Sequence, residues 1–427
     1  MQQAESANTR ASEFKRGWPV VLTGALGVGI GAPIFALGIF IVPLSTAFGW
    51  TRAQISLASL CIVFGTISTA MLVGRMVDRF GARKIAIVSL IALALTYLGM
   101  TQITGNILTF YGALIVLSLA ACGASPIIWT RGVALWFERS RGLAFGLTLS
   151  GAGIAGVVIP PLIGSLIAEY HWQAGYIGMA VIAAVAVIPV KLFFVEPADK
   201  AGEHKSQIAA AAPVATGLSL KEALRERQFW QLGVVNFFIS CCTVSLLVHL
   251  VPLLTDEGLS SSLAAQFASL MGVAMIVGRF STGYLIDRFH APFVGAIYFI
   301  LAALGVLLLK TILAMPSPNL TYLAIAVVGF GLASGAELEQ VSFITSKYFG
   351  LKSYGQIYAA QFIVFQLAVG VGPMVAGRIF DVTGSYDLAL TLCIGAFFGG
   401  GVIMALIGRP RRTEHAAVSL EPVRQAL

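Results

Sequence analysis

The sequence predicts an all-α membrane protein of twelve transmembrane helices in two pseudo-symmetric six-helix bundles. Three observations predict it. Hydrophobic residues make up 58% of the 427 residues and charged residues only 11%, against about 25% charged in soluble globular chains. The mean hydropathy of +0.88 leaves too little polar surface to cover the cores of a soluble chain this long. Apolar runs near the bilayer-spanning length of about 20 residues also recur along the chain. A soluble enzyme, a disordered chain and a nucleic-acid-binding protein are excluded, although the pI is near 9.3. The 46 glycines suit close helix packing in lipid.

Spans 1 to 6 fall at roughly 18–47, 53–77, 84–102, 107–136, 143–168 and 176–195. Spans 7 to 12 fall at roughly 228–255, 262–286, 291–315, 319–347, 356–379 and 387–408. The expected organisation is therefore a first bundle over 1–195, a polar cytoplasmic linker over 196–227, a second bundle over 228–408 and a cytoplasmic tail over 409–427. The first seventeen residues are polar and carry Arg10, Lys15 and Arg16. The apolar run behind them is about twice the length of a signal-peptide core, so it reads as a retained first span.

Basic residues set the orientation. With the N-terminus inside, Arg75, Arg79, Arg83, Lys84, Arg139, Arg141, Lys191, Lys200, Lys205, Lys221, Arg225, Arg227, Arg288, Lys347, Lys352, Arg409, Arg411, Arg412 and Arg424 join the N-terminal cations on the cytoplasmic side. Arg52, Lys310 and Arg378 fall on the other. That asymmetry places both termini in the cytoplasm of a cell with this protein in its inner membrane. Cys61, Cys122, Cys241, Cys242 and Cys393 lie in apolar runs without metal-ligand spacing, so neither a disulfide framework nor a metal or other cofactor is expected.

The halves repeat. Gly74-x-x-x-Asp78-Arg79-x-Gly81-x-Arg83-Lys84 follows span 2, and Gly283-x-x-x-Asp287-Arg288 follows span 8, the aspartates 209 positions apart. Trp136-Phe137 ends span 4 and Tyr348-Phe349 ends span 10, offset by 212. Pro160 and Gly164 in span 5 recur as Pro373 and Gly377 in span 11, offset by 213. Such repeats place a site between the halves near the bilayer midplane.

The run from Gly74 to Lys84 resembles the signature between spans 2 and 3 of the major facilitator superfamily, and the resemblance extends over the whole chain. Within that superfamily the chain resembles the monocarboxylate and oxalate–formate carriers. Pro43-Leu44, Phe48-Gly49-Trp50 and the Ser56 region carry this likeness. So do Trp136-Phe137-x-x-x-Arg141-Gly142-Leu143-Ala144-x-Gly146 and Gly377-x-x-x-Asp381-x-Thr383-Gly384-Ser385-Tyr386. In those carriers an arginine eight residues before the span 8 loop aspartate grips the substrate carboxylate, and Arg279 holds that position. The chain also departs from them. Position 275 is Met where mammalian carriers have Asp, Phe40-Ile41-Val42 replaces a span 1 Lys, and span 11 lacks the Lys of oxalate carriers. A dicarboxylate held by two cations is thereby disfavoured.

The residues themselves support a carboxylate site. Arg279 lies about 12 Å deeper than Asp287, where an arginine costs about 2.5–3.5 kcal/mol on insertion scales. It needs a wet cavity or a partner, and its planar fork suits a carboxylate. The alternative is a structural pair with an acid of a neighbouring span. Glu337 and Glu339 diverge by about 200° around span 10. Phe330, Ser334 and Glu337 form one stripe, which favours Glu337 over Glu339 as the proton carrier; a pair of either acid with Arg131, or a cap on a broken helix backbone, is an equal alternative. His249 shares a face of span 7 with Cys242 and Ser245 and is a candidate for substrate binding and proton transfer. Tyr358, Gln361 and Phe365 form a stripe in span 11, and Phe330 faces it from span 10. Arg131 reads as structural. Asp78, Arg79, Asp287 and Arg288 sit at span ends and are assigned to gating.

The expectation is a monomeric secondary transporter, not an enzyme, that moves a small organic monocarboxylate with a proton by alternating access. Arg279, His249, Tyr358, Gln361 and Phe330 would bind substrate, and Glu337 and His249 would couple protons. Its partners are the anion, protons and the bilayer, with no nucleic acid. An aromatic-acid importer, an organic-anion exchanger and a multidrug exporter remain as alternatives.

Overall fold

The computed structural model describes residues 2–31, 40, 43–50, 55, 57–196, 216–315 and 319–409, and backbone only at 2–11, 58, 59, 261, 262 and 265. Most of the expected linker and tail, Ser56, and the cations Arg52, Lys200, Lys205, Arg411, Arg412 and Arg424 lie outside the described residues, as does most of the stretch between Gly31 and Pro43. Among the described residues, eleven helices are long and apolar enough to cross a membrane, from Leu60–Phe80 to Asp387–Ala405. They occupy the positions of spans 2 to 12. Helix Gln2–Ile30 begins span 1.

Local chemistry sets the ends. Asn106 and Asn319 cap spans 4 and 10 by accepting from Leu108 N and Thr321 N, each at 2.9 Å. This satisfies donors that a helix start leaves without partners. Gly81 turns the chain between spans 2 and 3 at φ 87, a conformation that suits glycine.

Two spans are broken where the sequence predicts continuous helix. Span 4 runs Ile107–Cys122 and Pro126–Trp136, because Pro126 lacks the donor that would continue the ladder. Trp129 Nε1 donates to the Ala124 carbonyl across the break at 2.7 Å. Span 5 runs Arg141–Leu149 and Gly151–Glu169, interrupted at Ser150. Broken helix at membrane depth is tolerated where protein or a cavity takes up the freed groups.

The outer surface is apolar, with Val88, Leu95, Ile188, Val273 and Met374 exposed. Polar side chains turn inward instead, among them Arg131, Arg279, Glu337, Glu339 and Gln361. This is the arrangement expected of helices whose solvent is lipid.

Spans 1 to 6 pack on one another, as do spans 7 to 12, and the two groups meet through span 2 on 11, span 5 on 8 and 10, and span 4 on 11. Spans 5 and 8 touch backbone to backbone. A Cβ built on Gly142 would stand 2.5 Å from the Gly283 carbonyl, and one on Gly283 would stand 2.5 Å from that of Gly142. Span 2 meets span 11 in the same way at Gly74 and Gly355, also at 2.5 Å. All these contacts lie at the end where the 197–215 connection joins the bundle, here called the linker end. Any larger residue there must separate the halves or distort a helix. Gly142→Val and Gly283→Val are each expected to destabilise this closed form by about 1–3 kcal/mol. Thermal melting in detergent checks it, with a midpoint several degrees below that of the wild type.

Candidate functional site

Arg279 sits on span 8 and is 8% exposed. Its Nη1 donates to Glu339 Oε1 of span 10 at 3.3 Å and to the Leu149 carbonyl of span 5 at 3.0 Å. That carbonyl lies beside the interruption at Ser150. One edge of the fork is held by protein, while Nη2 and Nε on the other make no hydrogen bond among the described residues. The close crossing of spans 8 and 10 fixes this geometry. A Cβ on Gly335 would stand 2.1 Å from the Met275 carbonyl, and one on Gly278 would stand 2.1 Å from that of Leu332.

Glu339 is fully buried, and its Oε2 finds no partner among the described residues. It was not singled out over Glu337, yet the sequence holds a signal. Gly331, Gly335 and Glu339 follow one another at i, i+4 and i+8, and the two glycines mark the face of span 10 that touches span 8. Glu337 faces span 7 instead, where Ser240 donates to its Oε1. The divergence of the two acids around span 10 thus appears as two different neighbours.

Tyr358 is buried, and its hydroxyl lies close to the Ser342 side chain of span 10. It stacks between Tyr354 and Phe362 with centroids at 5.6 and 6.5 Å. It stands within electrostatic reach of Glu339, Arg279 and Glu337. Phe330 is also fully buried, nine positions along span 10 from Glu339, and its carbonyl accepts from Ser334.

Gln361 and His249 lie apart from this group. Gln361 joins spans 7 and 11: its Nε2 donates to the Phe229 carbonyl at 3.0 Å, and its own carbonyl accepts from Asn236 Nδ2 at 2.8 Å. His249 lies toward the opposite end of span 7, where Nε2 meets the Pro373 carbonyl and Nδ1 meets the Tyr386 hydroxyl, each at 3.1 Å. A carbonyl only accepts, so Nε2 carries the proton. Burial, with Asp256 and Asp381 nearby, pushes the Tyr386 hydroxyl above its ordinary range.

Two aspartates clasp the linker end. Asp78 accepts from Gly355 N at 2.9 Å and Gln356 N at 3.0 Å, at the start of span 11. Asp287 accepts from Gly142 N at 2.7 Å and Leu143 N at 2.9 Å, at the start of span 5. Each carboxylate ends a span in one half and meets the positive end of a helix in the other. Arg131 completes the first clasp, pairing with Asp78 at 2.5 Å and donating to the Leu351 carbonyl at 3.0 Å. Lys347 Nζ reaches the Glu138 carbonyl at 3.1 Å near the second. Glu13, absent from the sequence candidates, accepts from the backbone of Glu138, Arg139 and Ser140. Arg79 and Arg288 lie over Phe80 and Tyr284 of their own span ends. The hydrogen bonds described between the halves run from this end up to Arg279 and stop there.

The chain matches the Major Facilitator Superfamily over residues 21–373. It belongs to that superfamily. It is therefore a multi-pass membrane transporter of small molecules rather than an enzyme. It is 25% identical to human monocarboxylate transporter 12 over 445 residues, covering 95% of this chain and 83% of that one. It is 27% identical to a probable sulfoacetate transporter of Cupriavidus necator over 383 residues, covering 86% and 87%. Among solved structures, the E. coli fucose:proton symporter superposes with a TM-score of 0.69 at 17% identity, covering 92% and 98%. This last likeness is one of fold.

The clasp separates two kinds of charged residue. Removing one partner of a buried ion pair costs about 3–5 kcal/mol, whereas a solvated arginine on its own helix end contributes little. Asp78→Asn is expected to lower the melting temperature markedly and Arg79→Ala to leave it nearly unchanged, as read by thermal melting in detergent.

Proposed function

We propose that this transporter carries small organic monocarboxylates across the inner membrane, as a monomer with both termini in the cytoplasm, by proton-coupled symport. The observation that carries this reading is Arg279: a buried guanidinium with one edge held by Glu339 and Leu149 and the other free. It lies immediately above the Gly142–Gly283 contact. A carboxylate is the group whose two oxygens match that free edge. Among the described residues no second cation pairs beside it, which favours one anionic group over two. The printed names of the two relatives, a monocarboxylate and a sulfoacetate carrier, point to the same class of small organic anion.

The basic residues make the linker end cytoplasmic. Substrate would then enter from the outside and reach Arg279 while the two aspartate clasps hold the cytoplasmic side shut. Transport needs the clasps to open and the opposite ends of the halves to close, a rocking of one six-helix group against the other. Tyr358 and Phe330 supply the wall on the span 10 and 11 side. Gln361 and His249 act through the packing of spans 7 and 11. The two core acids are engaged with Ser240 and Arg279, which disfavours a cationic drug as cargo.

Uptake of labelled lactate, pyruvate, benzoate and oxalate into proteoliposomes, with and without an acid exterior, tests the reading. Monocarboxylate uptake should rise with an inward proton gradient, oxalate should be a poor substrate, and Arg279→Ala should reduce uptake at least a hundredfold, about 3 kcal/mol. Undiminished uptake by Arg279→Ala, or uptake that needs a counter-anion and ignores the gradient, would overturn it.

A further inference from the structure

We propose that Glu339, rather than Glu337, is the proton-coupling residue: it releases its hold on Arg279 by taking up a proton when the substrate anion binds. This inference rests on the carboxylate reading of Arg279 and deepens it. Glu339 is the acid paired with Arg279, whereas Glu337 is turned to Ser240 on span 7. Span 8 itself has no acid one turn before Arg279, where Met275 stands. The backbone contact between Gly335 and Met275 brings an acid from span 10 to the same guanidinium instead. Glu339 Oε2 is buried without a hydrogen-bond partner among the described residues. A carboxylate leaves it so at a penalty, and a carboxylic acid carries its proton on such an oxygen.

The charges around Glu339 make the coupling. Arg279 faces it from span 8, and Tyr358 of span 11 and Glu337 of its own span stand within electrostatic reach. Span 5 brings the Leu149 carbonyl to the pair. On span 9, the one charged side chain, Lys310, is taken by Asp387 at 3.0 Å. Within the Arg279–Glu339 pair of the empty carrier one guanidinium balances one carboxylate. A substrate carboxylate on the free edge of Arg279 adds a second anion to a site of low dielectric with no second cation. One proton on Glu339 restores neutrality. The pair therefore carries no net charge either empty, as Arg279 cation and Glu339 anion, or with substrate bound, as Arg279 cation, substrate anion and Glu339 acid. It carries excess charge in the half-loaded states between, so anion and proton cross together. The proton comes from the solution that supplies the anion and leaves into the solution that receives it.

Proton uptake on binding is read directly with a pH indicator on purified protein in weakly buffered detergent, with lactate, pyruvate and benzoate as probes. Wild-type protein should take up about one proton per anion bound, with affinity rising as pH falls, by about tenfold per unit where the empty carrier holds Glu339 ionised. Glu339→Gln resembles the protonated acid. It should bind the same probe at least as well, without proton uptake or pH dependence, and in proteoliposomes it should exchange labelled for unlabelled anion but lose gradient-driven accumulation. Glu337→Gln should keep the wild-type proton uptake. Full proton uptake by Glu339→Gln, or its loss in Glu337→Gln, overturns the assignment to Glu339 and leaves Arg279 as the carboxylate site. Loss of binding by Glu339→Gln with an unchanged melting temperature overturns it as well. If Glu339→Gln does not fold, Glu339→Asp decides: it keeps a titratable group, and proton uptake displaced along the pH axis supports the assignment while an unmoved pH profile contradicts it. Failure of all three probes to bind wild-type protein sinks the carboxylate reading itself.

Discussion

A guanidinium in the middle of a membrane must be answered by hydrogen-bond acceptors and negative charge. Arg279 is answered by the Glu339 carboxylate and by the Leu149 carbonyl of the opposite half, and its other edge makes no hydrogen bond among the described residues. The first contact requires spans 8 and 10 to cross at glycine distance. The second requires span 5 to be interrupted beside Leu149 and to lie against span 8. Much of the interior follows from meeting those two conditions. The bond to Leu149 also makes Arg279 the uppermost hydrogen bond described between the halves, so a ligand bound there stands at the seam that must open.

The same economy of charge governs the linker end. An aspartate in the last turn of its own helix is poorly placed with respect to that helix's dipole. Asp78 and Asp287 are stabilised by helix starts across the seam, each accepting two backbone bonds. Arg131 pairs with the first carboxylate, and Arg141 and Lys347 lie within electrostatic reach of the second. Glycine pairs in both crossings let the backbones approach closely enough for those bonds. Opening therefore breaks charge-assisted bonds in matched sets, which suits a two-state rocking motion better than a gradual one.

Much of the fold was legible in the sequence because it is written in the composition. Runs of apolar residues have no other stable home than a bilayer, and the repeated Asp-Arg segments mark two like halves. The breaks in spans 4 and 5 were less legible. Pro126 announces the first, but Ser150 carries no comparable mark and depends on tertiary packing. At the site, depth alone singled out Arg279. Choosing between Glu337 and Glu339 needed the face of span 10 that meets span 8, and the Gly331–Gly335 stripe shows it only once close helix contact is taken as the rule. His249 and Gln361 looked like pocket residues because polar side chains in lipid need partners. The partners described are backbone groups and a tyrosine, so helical periodicity could not tell a ligand contact from a packing link.

The central claim is that the guanidinium of Arg279 recognises a carboxylate. Equilibrium binding of acid and amide pairs, lactate with lactamide and benzoate with benzamide, to wild-type protein and Arg279→Gln tests it most directly, because shape is held constant while charge is removed. Wild-type protein is expected to bind an acid and not its amide, and Arg279→Gln to lose that preference. A preference for the acid that survives in Arg279→Gln would contradict the account.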